Sequence, residues 1–146
     1  MERLTRFEDA AREIVAERSA GVFKRDNRDV LDLGDIEGVH KMRVATRRLR
    51  AALEVFAPAL DHRRAKRALH RVKVLAEALG ERRDRDVALE ALEALEAATA
   101  GAERRAVEIL VGELREEQQN ANAQLAKALR RAGRERLQQR LERLAR

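Results

Sequence analysis

Between Val39 and Phe56 the chain reads V-H-K-M-R-V-A-T-R-R-L-R-A-A-L-E-V-F, and four of these side chains could do chemistry on an anion. At about 100° per residue on a helix, His40, Arg43, Arg47 and Arg50 fall within about 80° of arc, with no acid among them. Cations stacked at three- and four-residue steps repel one another. A chain accepts such a file most readily where something anionic will lie along it. Guanidinium suits phosphate, because its planar fork makes paired hydrogen bonds and stays charged. On periodicity alone, a solvated arginine exterior explains the file as well as an anion site does.

Other chemistries find less support. His40, His62 and His70 have no metal-ligand spacing, and their basic surroundings oppose a divalent cation, so no metal is expected. No Ser or Cys stands in a nucleophile motif, and no glycine-rich phosphate loop of the G-x-x-x-x-G-K-S/T kind occurs. Neither a cofactor nor catalysis is expected. Glu54 and Asp61 are the only carboxylates near the basic run.

The file needs helices to hold it, and composition favours them. The chain has 146 residues with one proline, seven glycines and no cysteine. Apolar residues make up 45% and charged residues 40%, with a mean hydropathy of −0.58. Disulfides and thiolate chemistry are thereby excluded. The start, M-E-R-L-T-R-F-E-D-A, has no apolar leader, and no window is apolar enough to span a membrane, so the cytoplasm is the expected compartment. Net charge is +6, unevenly spread: residues 1–39 carry −3, 40–73 carry +9, 74–102 carry −4 and 103–146 carry +4. One segment holds more than the whole surplus, which marks an electrostatic footprint.

The periodicity predicts one all-α domain over 1–146, an antiparallel bundle of five to six helices. Leu4, Phe7, Ala11, Ile14 and Val15 begin a first helix that continues to Val22 and Phe23. Gly34 and Gly38 bracket a turn, with Asp35 placed to cap it and His40 near the free N–H groups of the next helix. Met42, Thr46, Leu49, Leu53 and Phe56 form the apolar stripe behind the basic file, and Pro58 ends that helix. A third helix from about Asp61 to Leu79 is expected to stop at Gly80. It carries His62, Lys66, Lys73 and His70 beside its stripe as a second basic element. Asp84 or Asp86 should cap a helix over 86–98. A long helix spans 103–132, Gly133 interrupts it, and a short charged helix over 134–146 is left to fray or to dock on a partner.

Nucleic acid would use the same arginines on its backbone, and non-specific binding stays open. Base stacking wants aromatic platforms, yet Phe7, Phe23 and Phe56 are the only aromatics and all sit in apolar stripes. Between residues 40 and 73 there is no Asn or Gln to read a base edge.

The run from Val39 to Phe56 resembles the signature of the CHAD domain, the conserved histidine α-helical domain. V-K-V-L-A-E-A-L-G-E-R-R-D-R-D-V at 72–87 is similar to that family's downstream basic helix, Leu-Gly stop and Arg-Asp turn, so the strong match spans 38–87. The resemblance implies an all-helical domain that binds inorganic polyphosphate through a basic surface or pore, without catalysis. It implies His40 as the motif histidine, Arg43, Arg47, Arg48 and Arg50 as its arginines, Lys73 as the basic residue of the next helix, and Arg83 with Asp84 as the Arg-Asp pair. With Lys66 from the second basic helix, His40, Arg43, Arg47, Arg48, Arg50, Lys73 and Arg83 make the expected polyphosphate-binding set. The family resembled here has two similar halves, and this chain carries one histidine-arginine helix, so a homodimer is expected to supply the second. The alternative is a structural protein, associated with polyphosphate granules or pairing its helices with partners, whose basic face is only solvated.

Overall fold

Aspartates punctuate the first half of the chain, and the elements begin where they stand. In the computed structural model, which describes residues 2–146 and side chains from residue 6 onward, α1 is Glu2–Val22 and α2 is Asn27–Leu31. α3 is Glu37–Val55, α4 His62–Ala98, α5 Gly101–Arg134 and α6 Leu137–Leu144, with no strand among the described residues. The Asp26 side chain accepts from Arg28 N–H at 3.0 Å, Asp35 from Glu37 N–H at 3.1 Å, and Asp61 from Arg64 N–H at 3.0 Å. Each satisfies a donor that a helix start leaves without a partner. Pro58 sits in a single 3-10 turn, Ala57–Ala59, that reverses the chain between α3 and α4.

The fold is the all-α antiparallel bundle that the periodicity predicts. α1 packs on α3, α3 on α4, and α4 on α5, while α6 folds back against α1, α4 and α5. Val15, Val22, Val30, Val39, Leu49, Leu53, Val72, Leu75, Leu79 and Leu125 form the centre of one core, at 2% exposure or less. Each such side chain contributes roughly 1.5–3 kcal/mol. A smaller cluster of Leu89, Val107 and Val111 closes the far end of the α4–α5 hairpin. Phe23 and Phe56 pack at the core's edge. Phe7, expected inside, is 40% exposed and lies on Phe56 with ring centroids 5.5 Å apart. Leu4 lies outside the residues whose side chains are described.

Three expected boundaries are corrected. Gly80 does not end a helix: α4 runs unbroken for 37 residues, so Asp84 and Asp86 lie inside it and cap nothing. A mid-helix glycine costs only about 1 kcal/mol against alanine. The buried stripe continues past it through Arg82, Asp86 and Leu89, and that burial outweighs the local penalty. Gly133 is likewise inside α5, and the turn falls at Arg136, which takes a left-handed φ of 54°. The last helix docks on its own chain, with Leu137 1%, Leu141 0% and Leu144 7% exposed. The helix lost at Gly80 is replaced in the count by the five-residue α2, whose Val30 is buried.

Glu135 anchors the α5–α6 turn. Its carboxylate accepts from Arg131 Nε at 2.9 Å and from Arg71 Nε of α4 at 2.8 Å. The bond from Arg131 holds this carboxyl below its ordinary 4.5, against the upward push of burial, and the bond from Arg71 adds to the lowering.

Two outcomes follow. Gly80→Ala raises the thermal midpoint, by up to about 1 kcal/mol of stability, because a methyl there meets only Arg43 Nε at 3.9 Å; a helix-ending glycine would lose stability instead. The Glu135 contribution is fully present above pH 4.5 and is lost as pH falls through its lowered folded value. A melting series from pH 7 to 3 therefore shows a flatter acid limb for Glu135→Gln than for the parent chain.

Candidate functional site

α3 carries the basic file on the flank that meets α4. His40 and Arg43 are half-buried, and Arg47 and Arg50 are exposed. Behind them Met42, Leu49 and Leu53 are buried. Thr46 is fully buried as well, its hydroxyl donating to the Met42 carbonyl at 2.7 Å. That bond lets a polar residue share the apolar stripe.

Arg43 sets the register with α4. Its Nε lies over Gly80, where α4 presents bare backbone and the arginine stem can cross. Counting in antiparallel steps from that contact puts His40 level with Arg83, Arg47 with Ala76, and Arg50 with Lys73. Arg83 and Lys73 of α4 therefore stand opposite the two ends of the α3 file, with Arg43 and Arg47 between them. Among the described residues Arg43, Arg47, Lys73 and Arg83 form no ion pair. Arg50 is paired, its Nε 3.3 Å from Glu54, with both ends about half exposed at 44% and 48%. An exposed pair of that kind is worth about 0.2–1 kcal/mol and yields readily to another anion.

His40 closes the strip beside Arg83. Its Nδ1 is enclosed and has no hydrogen-bond partner among the described residues. The N-terminus of α3 does not serve as an anion seat. Its Glu37 N–H is taken by Asp35, and Gly38 is so close to α2 that a methyl there would stand 2.9 Å from the Asp29 carbonyl oxygen.

Two of the expected residues fall elsewhere. Arg48 is one step of about 100° from Arg47 and lies on the flank away from α4, beside Ala45, which faces Gly21 of α1. Lys66 is beyond the end of α3 in the register, and it lines a groove with Arg71 of α4, Arg131 of α5 and Glu135. The structure brings together His40, Arg43, Arg47, Arg50, Lys73 and Arg83. No group of acidic and histidine side chains among the described residues is placed to hold a metal ion.

Under the strip lies a polar network that the sequence reading missed. The Arg-Asp pair is Arg82 with Asp86 rather than Arg83 with Asp84: Arg82 Nε donates to Asp86 Oδ1 at 2.8 Å, and both side chains are fully buried. Arg82 Nη1 donates to Asn122 Oδ1 at 2.6 Å, Gln118 Nε2 to Asp86 Oδ1 at 2.7 Å, and Asn122 Nδ2 to the Leu31 carbonyl at 3.0 Å. The signal was available in the spacing, since Val72, Leu75, Leu79, Arg82, Asp86 and Leu89 continue one stripe at three- and four-residue steps. Arg82 and Asp86 therefore point inward and turn Arg83 and Asp84 out. Asp86→Ala leaves a buried guanidinium uncompensated and costs about 3–5 kcal/mol, whereas Asp84→Ala stays within about 0.5 kcal/mol; urea denaturation of the two variants measures the contrast.

A family model described as CHAD domain matches residues 13–146, nearly the whole chain, and takes in every element from the second half of α1 to α6. Comparisons with curated proteins and with solved structures return no match. The two ordered motifs, the helical fold that sets them side by side and the extent of that match agree: the chain belongs to the CHAD domain family.

Proposed function

We propose that the α3–α4 strip binds inorganic polyphosphate and performs no chemistry on it. The observation that carries this reading is the run of uncompensated cations, Arg43 and Arg47 of α3 between the levels of Arg83 and Lys73 of α4, on two packed helices. An extended polyanion laid along the strip meets one cation after another, and the arginine forks contact its oxygens in pairs. Family membership supports the same ligand. The strip offers charge and little shape, so longer chains win over shorter ones by presenting more phosphates per encounter. Affinity falls steeply with salt as counterions are released.

Dimer formation belongs to this proposal. The strip is one-sided, and Val87 and Leu95 stay about half exposed on the α4 face that continues beyond α3. A second copy packed there by a two-fold axis gives the polyanion a second wall. Light scattering reads the mass directly, and a strict monomer at high concentration refutes the pairing.

Replacing Arg43, Arg47 and Lys73 together by glutamate lowers polyphosphate affinity by about a hundredfold or more and leaves helicity intact, since none of the three supports the core. Titration at two salt concentrations with far-ultraviolet circular dichroism checks both parts, and undiminished binding removes this site. Competition with heparin and duplex DNA at equal charge separates a polyphosphate module from a generally basic scaffold. Equal competition by all three favours the scaffold.

A further inference from the structure

A second concentration of arginine lies on the other side of α4. Arg64, Arg67 and Arg71 rise along its first turns at three- and four-residue steps, and Arg140 and Arg143 face them from α6. These five side chains alone line a cavity of about 220 Å³, with no acid in its wall. A neighbouring groove of about 400 Å³ shares Arg67 and Arg71, adds Lys66, His70 and Arg131, and includes Glu135 as its one acid.

The acid is already used. Glu135 Oε2 accepts from Arg71 Nε and Oε1 from Arg131 Nε, while Arg140 Nε donates to the Glu135 carbonyl at 2.7 Å. Arg71 and Arg140 are thus held from behind by their Nε groups, and their Nη groups remain for the cavity. Among the described residues Arg64, Arg67 and Arg143 form no ion pair. The geometry does not rest on a loose tail, because Leu137, Leu141 and Leu144 seat α6 in the core. Five guanidiniums converging on one space repel each other in the absence of an anion. Holding Arg71 and Arg140 in place beforehand lowers the cost of binding one.

We propose that this cavity is a second anion site, built for a short, multiply charged oligophosphate. The fork geometry of arginine selects phosphate oxygens, and the small volume selects a compact group over a folded polymer. Arg67 and Arg71 are turned about 120–160° around α4 from Lys73, so the site is separate from the α3–α4 strip and fills independently of it.

The test is calorimetric titration of the whole chain with inorganic tripolyphosphate. The R67Q/R143Q variant alters two arginines free of ion pairs among the described residues, so it keeps the parent's melting profile, and it binds at least about tenfold more weakly. The R43E/R47E/K73E variant, altered only in the strip, binds tripolyphosphate within about threefold of the parent. The proposal is overturned if the parent does not bind tripolyphosphate, if R67Q/R143Q binds it unchanged, or if both variants lose it alike. Failure of the strip shows separately, as undiminished long-chain binding by the glutamate variant.

Discussion

A charge pair with no access to water must be satisfied completely or it destabilises the core around it. Arg82 and Asp86 meet most of that demand by recruiting Gln118 and Asn122 from α5 and backbone carbonyls from the α2 turn, with Asp86 Oδ2 left without a partner among the described residues. The result joins three parts of the chain at one point. It requires α4 to be helical from Arg82 to Asp86, since the two partners are a single turn apart. It also fixes the rotation of α4, because turning the pair inward turns Arg83 outward beside His40. The basic strip on the surface is the outer side of that buried arrangement.

The strip itself is stable for a different reason. Its cations are spread over two helices, and each keeps contact with solvent while its stem covers apolar surface. Screening at physiological salt reduces the mutual repulsion of exposed groups, and a polyanion removes it. The arginines between α4 and α6 are exposed too, apart from the half-buried Arg71, and Glu135 ties Arg71 and Arg140 in place. Both basic regions of the chain thus offset like charge by contact with water, and the second adds one fixed acid.

Much of this was legible in the sequence where a single helix carries the information. The stripe Met42–Thr46–Leu49–Leu53 and the opposing file are local facts of a 3.6-residue period, and the structure keeps them. The register that sets Lys73 level with Arg50 was not legible, because it is set by the packing of α3 on α4, where Arg43 meets Gly80 at ordinary contact distance. Gly80 and Gly133 read as stops because local propensity favours that. Tertiary burial of Leu79, Leu89 and Leu129 outweighed about a kilocalorie each. The Arg83–Asp84 pair came from the resemblance to the family's motif, whereas helical geometry joins residues four apart, Arg82 and Asp86. The Arg64–Arg143 cluster was hidden by separation: its two sides are far apart in sequence and meet only because α6 folds back.

The α4–α5 hairpin reaches well past α3. Its root is locked by the Arg82–Asp86 network, while its tip is held by little more than Leu89, Val107 and Val111. Contact density therefore falls along a single pair of rods, and local opening free energy falls with it. The far turns are therefore the part of the hairpin that opens at the lowest cost, and opening there leaves the root and both basic surfaces in place.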